Sequence, residues 1–362
     1  MKPARPRPVV KTAAGSLLLG RMPGGCRLCI RGAKLVLFVT GLCRRGCFYC
    51  PLSEKRRWKD VVYANERQAK SGGEVTEEAF MMGALGTGIT GGDPIMRFNR
   101  ALGYIRLMKR RFGKKHHIHM YCCAPVPKEK LLQLKKAGLD EIRFHLWSTN
   151  PVKLAVEAGI RAGVELPAIP GDYNRLVDFL KKLDETPGVF VNLNELEFSD
   201  TNLKSFKKRG FRLKAETSMA VRGSQELALK VLKWAASHTR LNMYYCPSSL
   251  KDSVQLRNRL KRRAARVAKP YEQVTDEGLL FKGVITGVAP SRLASLRRRM
   301  IKRHGISPKL IGLDLRKKRI ELHWRLAKAI SKAEPALDFA LVEEYPTHDR
   351  LETTVIPLAK SF

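Results

Sequence analysis

From residue 34 onward, short apolar runs alternate with segments whose apolar residues recur at helical spacing. Residues 35–39 form a continuous apolar run, which is typical of a strand buried on both faces of a parallel sheet. The same pattern predicts further strands at 84–89, 118–121, 142–146, 164–169, 189–198 and 241–245. It predicts intervening helices at 95–112, 128–137, 151–162, 174–185 and 224–237. This alternation indicates an α/β fold of about six or seven βα units, a partial β/α barrel of the (β/α)6 type.

The predicted barrel at 34–250 is flanked by segments of different character. Residues 1–33, which include Cys26 and Cys29, contain many Gly, Pro and Arg residues and predict an irregular N-terminal extension. Residues 251–270 predict a strongly basic helix with charges on all sides. Beyond it the βα alternation ends, and 271–362 predict a separate basic α+β domain.

The charge balance changes this picture of an ordinary α/β protein. The chain carries 69 Lys and Arg residues against 33 Asp and Glu residues, a formal net charge of +36. Such an excess attracts polyanions, of which nucleic acid, and RNA in particular, is the usual one. A chain from an organism whose proteins are all rich in Lys and Arg carries the same charge without binding RNA, so both interpretations stay open.

The sequence predicts neither a membrane span nor a signal peptide. A span needs about 18 consecutive apolar residues, and the apolar stretch after the basic start is too short and too rich in Gly for a signal peptide. We therefore expect a cytoplasmic protein without a membrane partner, whose eight cysteines stay reduced. Clustered reduced cysteines bind metal more often than they form disulfides.

Three cysteines follow the first predicted strand at spacings of four and three residues: Cys43, Cys47 and Cys50. Thiolates are the protein ligands of a cuboidal 4Fe-4S cluster, and three of them leave its fourth iron open. Gly46 allows the backbone to turn tightly around such a cluster, and the ring of Tyr49 is expected to pack against the cofactor. A structural zinc site or unrelated thiols are the alternative interpretation.

This loop resembles the defining motif of radical S-adenosylmethionine (radical SAM) enzymes, in which an aromatic residue precedes the third cysteine. With the runs at 25–53, 193–195 and 246–248, the chain is similar to a mostly archaeal group of radical SAM proteins related to pyruvate formate-lyase activating enzyme. The resemblance implies that the open iron binds the amino and carboxylate groups of S-adenosylmethionine. It also implies one-electron cleavage to a 5′-deoxyadenosyl radical, with ferredoxin or flavodoxin as electron donor.

Gly91, Gly92 and Asp93 end the second predicted strand and open a helix. They resemble the Gly-Gly-Glu motif of the same superfamily, whose backbone and carboxylate hold the methionine amine of the cofactor; Asp93 is one methylene shorter than the usual Glu. The two glycines let a ligand approach the backbone closely. A strand-to-helix turn in which Asp93 caps the helix is the alternative.

Polar residues also occur near the carboxyl ends of later strands, where side chains of such folds face the active site. Asn194 and Glu195 are candidates to bind the ribose of S-adenosylmethionine, and His145 is a candidate to face the substrate. Buried Asn and Glu residues satisfy loop backbones equally well, and a lone histidine is more often structural. No catalytic residue is assigned.

The remaining cysteines suggest a second metal site. Cys26 and Cys29 have the spacing of a metal-ligand pair, and Cys246 follows another predicted strand. These three are candidates to hold an auxiliary iron–sulfur cluster or zinc, with a fourth ligand from elsewhere. Small buried hydrophobic residues are the equal alternative. Cys122 and Cys123 are adjacent, so at most one of them is expected to join such a site.

These features predict a radical SAM enzyme whose substrate the sequence does not specify. The net charge of +36 favours RNA modification, because a basic chain holds a polyanion by its phosphates. The family resemblance favours an activase that makes a glycyl radical on a partner protein, or another protein-modifying enzyme. A zinc-bearing RNA-binding protein, with structural cysteines, is the third alternative.

Overall fold

The computed structural model describes residues 6–12 and 15–359. The chain divides into two compact units, the first formed by Met1–Phe80 with Ala84–Leu256 and the second by Met81–Gly83 with Arg257–Phe362. Residues 1–5 and 13–14 of the predicted N-terminal extension and residues 360–362 of the predicted C-terminal domain lie outside the described residues.

The first unit is built on one large sheet. Its strands are β1 (Val9–Lys11), β2 (Leu17–Leu19), β3 (Lys34–Phe38), β4 (Tyr63–Ala64), β5 (Arg67–Gln68), β6 (Gly86–Thr90), β7 (His117–Cys122), β8 (Glu141–Phe144), β9 (Arg161–Ala168), β10 (Phe190–Glu195) and β11 (Asn242–Cys246). Their order is β1-β2-β11-β10-β9-β8-β7-β6-β3-β4-β5. From β3 through β6 to β11, each strand is parallel to its neighbour. This parallel core confirms the predicted partial β/α barrel.

Helices alternate with the parallel strands. They are α1 (Gly24–Ile30), α2 (Gly72–Met81), α3 (Phe98–Phe112), α4 (Lys128–Ala137), α5 (Asn150–Glu157), α6 (Tyr173–Leu183), α7 (Leu203–Lys208) and α8 (Ser224–His238). Helix α4 coincides with its predicted range and ends at Gly138, whose φ of 104° is readily adopted by glycine. None of the helices in the described part of the chain has the length and apolar character that a membrane span requires.

The prediction of an irregular segment at 1–33 is wrong for its described part. Strands β1 and β2 form an antiparallel pair, β2 pairs with the edge of β11, and α1 follows Pro23. Strands of three residues are too short to show alternation in the sequence. They form because the exposed edge of β11 supplies backbone hydrogen-bond partners, which is a contact distant along the chain.

The parallel strands have an apolar outer side and a polar inner side. In β7, Ile118, Met120 and Cys122 are fully buried, whereas His119 and Tyr121 line a central cavity. Successive strand side chains point to opposite sides, so each strand presents one set to the helices and the other to the barrel interior. The barrel therefore encloses polar groups, although part of each strand reads as apolar in the sequence.

The second unit is an antiparallel sheet with helices. Its elements are α9 (Arg257–Val267), β12 (Gln273–Val274), β13 (Leu280–Thr286), α10 (Pro290–His304), β14 (Ile311–Asp314), β15 (Arg319–Leu322), α11 (Trp324–Ser331), β16 (Asp338–Glu344) and β17 (Glu352–Pro357). The sheet order is β14-β15-β13-β16-β17, with β12 beside β13. The succession β13-α10-β14-β15-α11-β16 is the split arrangement of ferredoxin-like folds. It confirms the expected α+β character.

The predicted basic helix at 251–270 is not one continuous α-helix. Leu250–Leu256 is π-helical and falls in the first unit, whereas α9 begins at Arg257 and falls in the second. The charges of α9 are not all exposed either, since Arg263 is only 7% accessible. The sequence showed the charge of this region but gave no signal for the change of helix type.

A buried ionic network lies in the sheet of the second unit. Lys282 is 1% exposed, and its ammonium group lies 2.9 Å from Glu272 and 2.7 Å from both Glu321 and Glu344. Burial acts to raise the pKa of Glu321, but Lys282 and then Arg319 outweigh it and hold this pKa at about 2. The network keeps several charges out of water only because each has close partners of opposite sign.

Candidate active site

A cavity of about 460 Å³ opens among the parallel strands of the first unit. It brings together almost all of the candidate residues, although they are widely separated in the sequence. The candidates that line it are Cys26, Cys29, Cys43, Cys47, Tyr49, Cys50, Gly91, Gly92, His145, Asn194, Glu195 and Cys246. Asp93 is the candidate that is absent from this lining. Carboxyl ends of parallel strands meet at one edge of the sheet, which explains the convergence of these candidates except Cys26 and Cys29, which lie in α1.

The cysteine triplet (Cys43, Cys47 and Cys50) lies on a loop that packs against the Gly91–Gly92 turn. The backbone N–H of Gly92 donates to the carbonyl oxygen of Thr40 at 2.8 Å, and that of Asp93 donates to the carbonyl oxygen of Leu42 at 2.8 Å. A Cβ atom on Gly91 would lie 2.3 Å from the Thr40 oxygen. The glycines are thus required by the approach of the cysteine loop itself, in addition to any ligand.

Aromatic packing fixes the other end of the same loop. Phe48 and Tyr49 pack against an apolar cluster that includes Leu196 and Phe206, and the rings of Phe48 and Phe206 are 6.1 Å apart. Gly46, by contrast, is not in the left-handed region, and a Cβ there would meet nothing within 4 Å. The expectation that Gly46 is needed for a tight turn is therefore not supported by the backbone geometry.

Two thiols of the cysteine triplet have lowered pKa values. A hydrogen bond with Cys123, supported by the backbone N–H of Arg45 at 3.3 Å, lowers the pKa of Cys43 to about 6 despite partial burial. A hydrogen bond with His145 is the main cause of the lowered pKa of Cys47. Thiolates are the species that bind metal and react as nucleophiles, so the loop is chemically ready for a metal.

Tyr49 and His145 connect the cysteine triplet to the barrel wall. The Tyr49 hydroxyl lies 2.7 Å from His145 Nε2, and His145 Nδ1 lies 2.8 Å from the backbone oxygen of Glu165. A carbonyl oxygen only accepts, so Nδ1 carries a proton and donates it to Glu165. Burial, followed by the nearby Cys47, raises the pKa of Tyr49, which keeps this hydroxyl protonated.

Asp93 acts as a helix cap in this structure. Its carboxylate accepts a hydrogen bond from the backbone N–H of Ile95 at 3.2 Å, at the start of the 3-10 turn Pro94–Arg97, and is 2% exposed. Burial raises the pKa of Asp93, and the backbone N–H groups of Cys123 and Ile95 act in the opposite direction. The structure thus shows the capping geometry that the sequence offered as the alternative.

Asn194 and Glu195 have different partners, because they are successive residues of one strand. Asn194 Nδ2 donates to Glu165 Oε1 at 2.9 Å inside the barrel. The Glu195 carboxylate accepts from the backbone N–H of Ser248 at 2.9 Å and pairs with Lys214 at 3.2 Å. Glu195 is therefore already saturated by protein groups, whereas Asn194 presents its side chain beside a buried carboxylate.

The polar floor of the cavity, which consists of Arg143, Glu165 and Asn192, was not predicted from the sequence. Arg143 Nη1 donates to Glu165 Oε2 at 2.9 Å, and Asn192 Nδ2 donates to the same oxygen at 3.0 Å. Burial acts to raise the pKa of Glu165, but Arg143, Asn192 and Asn194 together lower it. The available signal was a charged residue within an apolar strand, since Arg143 lies between Ile142 and Phe144.

The five cysteines outside the triplet differ in their position relative to the cavity. Cys123 lines the cavity beside Cys43 and donates to the backbone oxygen of Gly92 at 3.4 Å. Cys122 is fully buried on the other side of β7. Cys26, Cys29 and Cys246 line another part of the same cavity. Adjacent positions on a strand thus place only one of Cys122 and Cys123 at the cavity.

The fold and the cavity define an α/β-barrel protein with a cysteine-rich site, and comparisons with known proteins define its family. The profile of the radical SAM superfamily matches residues 37–185, and a domain of unknown function (DUF8061) matches residues 278–358. A Methanocaldococcus jannaschii protein, provisionally named as a glycyl-radical enzyme activating enzyme, is 39% identical over 354 residues, covering 93% of each chain. The chain belongs to the radical SAM superfamily, which confirms that it is an enzyme with radical SAM chemistry.

Solved structures show more distant likenesses. Streptococcus suis SuiB bound to S-adenosylmethionine has a TM-score of 0.42 and 13% identity, covering 60% of this chain and 50% of that chain. A radical SAM methyltransferase from Sphaerobacter thermophilus has a TM-score of 0.40 and 13% identity, covering 70% of this chain and 81% of that chain.

The family implies a 4Fe-4S cluster and S-adenosylmethionine. In the described part of the chain, no three Cys, His, Asp or Glu side chains stand in an arrangement that holds a metal ion. The cysteine triplet nevertheless fits a cluster in chemistry, because its thiols line one cavity and two of them have lowered pKa values.

Gly92→Ala is expected to lower both cluster retention and stability. The added Cβ would lie 2.5 Å from the Leu42 oxygen and 2.6 Å from the Gly41 oxygen, and backbone atoms cannot swing aside. We expect a loss of about 1–3 kcal/mol in the free energy of unfolding. Displacement of the cysteine loop should also lower iron retention by about 10–100-fold, as for other losses of ligand orientation. Urea unfolding and iron analysis measure the two effects.

Gly103→Ala, in α3, is the matched control for this change. A Cβ at Gly103 meets nothing within 4 Å, so iron retention should stay unchanged. Alanine in a helix interior should stabilise the chain by roughly 0.5–1 kcal/mol. Equal iron retention in the Gly92→Ala and Gly103→Ala variants would contradict the proposed contact between the glycine turn and the cysteine loop.

Proposed function

We propose that this chain reductively cleaves S-adenosylmethionine at a 4Fe-4S cluster bound by Cys43, Cys47 and Cys50. The observation that carries the proposal is that these thiols line one cavity beside the Gly91–Gly92 turn and that two of them have lowered pKa values. When bound, the cluster supplies the electron that converts S-adenosylmethionine to methionine and a 5′-deoxyadenosyl radical. Three protein thiolates leave one iron for the cofactor.

The chain's own residues have distinct tasks in this proposal. Gly91 and Gly92 offer backbone groups at the cavity edge, where the methionine part of the cofactor is expected to bind. Asn194, which faces the cavity, is the better placed of the two ribose candidates, because the Glu195 carboxylate is occupied by Ser248 and Lys214. Tyr49 anchors the loop and shields it from water through its apolar neighbours.

The relative from Methanocaldococcus jannaschii supports a protein substrate, with hydrogen abstraction that leaves a glycyl radical on a partner. The likeness extends over 93% of both chains, so it includes the second unit as well as the barrel. We therefore place a partner protein first among substrate classes. Reduction by ferredoxin or flavodoxin in the cytoplasm, where the eight free cysteines stay reduced, completes this proposal.

RNA is the second candidate, and the surface of the second unit favours it. On α10, Arg298, Arg299, Lys302 and Arg303 are exposed, whereas Leu293, Leu296 and Met300 face the sheet. A helix face of this charge can neutralise phosphates. RNA binding at moderate salt that is no tighter than that of a neutral protein would exclude this candidate.

Anaerobic reconstitution tests the proposed reaction. The chain is loaded with iron and sulfide, reduced with dithionite in the presence of S-adenosylmethionine, and assayed for 5′-deoxyadenosine. We expect this product from the loaded chain, with more of it when the correct partner protein or cellular RNA is added. A chain that binds iron and sulfide fully and yet forms no 5′-deoxyadenosine above the enzyme-free level would refute the proposal.

A further inference from the structure

Three thiols outside the cysteine triplet meet at one place in the first unit. Cys26 and Cys29 lie one turn apart in α1, and Cys246 ends β11. The Cys29 thiol donates to Gln255 Oε1 at 3.0 Å, and Gln255 Nε2 donates to Cys246 Sγ at 3.8 Å. Cys26 and Cys246 belong to one apolar cluster, and all three thiols line the central cavity. One side-chain amide therefore connects thiols from two separate elements.

The sulfur of Cys26 is an acceptor for two donors. Arg143 Nη2 lies 3.4 Å from it and Asn192 Nδ2 lies 3.3 Å from it, while Cys26 as a whole is 7% exposed. A neutral thiol is only a weak acceptor. Hydrogen bonds donated to sulfur are the usual surroundings of metal-bound thiolates, whose properties they tune. Burial raises the pKa of the Cys26 thiol, and Arg143 acts in the opposite direction, so these contacts offset part of the cost of a buried thiolate.

The charge around these thiols also suits a metal–thiolate centre. Three thiolates with one divalent ion carry a net charge of about −1, which needs positive neighbours in a buried place. Arg143 contacts Cys26. Burial raises the pKa of Cys246, and the nearby charge of Lys251 acts to lower it. Lys251 and Gln255 both lie in the π-helical segment Leu250–Leu256, and such segments are frequent at functional sites.

From this geometry we propose that Cys26, Cys29 and Cys246 form a second thiolate site that binds a soft metal, as an iron–sulfur cluster or as zinc. Thiolates select these two over harder metals. Binding releases the thiol protons, and the sulfur atoms, which do not yet stand in a metal-holding arrangement in the described chain, rotate to a common centre. With three protein ligands, one position stays open to the cavity for a nitrogen, oxygen or sulfur donor of the substrate.

Metal analysis of a chain without the cysteine triplet tests this proposal separately from the proposed function. The triplet variant carries Cys→Ala at all three triplet positions; it is incubated anaerobically either with ferrous iron and sulfide or with zinc alone, then desalted. We expect it to retain an iron–sulfur cluster or about one zinc ion per chain. Adding Cys26→Ala and Cys29→Ala should remove all of this metal, whereas adding Cys122→Ala instead should remove none.

A second measurement uses the triplet variant alone, so it does not depend on whether the further variants fold. In the triplet variant, iodoacetamide labelling with mass spectrometry should show Cys246 blocked when metal is present and labelled when it is absent. Two results would overturn the proposal. One is a folded triplet variant, judged by circular dichroism, that retains neither iron with sulfide nor zinc. The other is a Cys26–Cys29 disulfide in chain purified without oxygen.

Discussion

Cys47→Ala is expected to reduce the yield of 5′-deoxyadenosine to background. Loss of a group that merely orients a metal ligand costs about 10–100-fold, so loss of a ligand itself should exceed that range. Cys47 lies in the middle of the cysteine triplet, and a hydrogen bond with His145 lowers its pKa; without it the proposed cluster keeps only two of its three protein ligands. The product is measured after anaerobic reconstitution and dithionite reduction, together with bound iron and acid-labile sulfide.

Cys122→Ala is the control for Cys47→Ala. Cys122 is also a free cysteine, but it is fully buried in β7 and does not line the cavity. It should keep native iron content and product yield, at a small cost in stability from the lost sulfur atom. A Cys47→Ala chain that holds native amounts of iron and sulfide and still forms the product would contradict the assignment of the triplet.

The cysteine triplet and the glycine turn could be found from the sequence because their chemistry is local. Three thiols within eight residues form one loop in almost any backbone conformation, and the strand before them is visible as an apolar run. The role of Asp93 could not be decided in the same way. Its carboxylate can reach either a ligand or the N–H of Ile95, and only the three-dimensional structure shows the second contact.

The polar floor of the cavity could not be predicted, because the residues that form it come from different strands. Arg143, Glu165 and Asn192 meet through the register between β8, β9 and β10. A shift of one residue in that register would turn each of them to the opposite side of the sheet. The same reason hid the hairpin of β1 and β2, which depends on an edge supplied by residues over 200 positions away.

Lys282→Met is expected to destabilise the second unit by about 3 kcal/mol, at the lower end of the range for breaking a buried ion pair. The change removes the ammonium group that contacts Glu272, Glu321 and Glu344, while Arg350 and Arg319 stay as partial partners. Urea unfolding of the intact chain, followed by amide protection of β13, measures the loss. Lys302→Met, on the exposed face of α10, is the control and should change stability little.

The pH dependence of unfolding distinguishes two causes of the lower stability of Lys282→Met, namely the lost ion pair and overpacking by the methionine side chain. Lys282, with Arg319, holds the pKa of Glu321 at about 2 against the effect of burial, below the value of about 4.3 for an unfolded chain. This contribution to stability is therefore complete above pH of about 4.3 and is lost as pH falls towards 2. In the Lys282→Met chain the buried carboxylates protonate more readily than in the native chain. The difference in the free energy of unfolding between the two chains should therefore decrease between pH 7 and pH 4. A gap that stays constant over this interval would show that packing, and not charge, accounts for the loss.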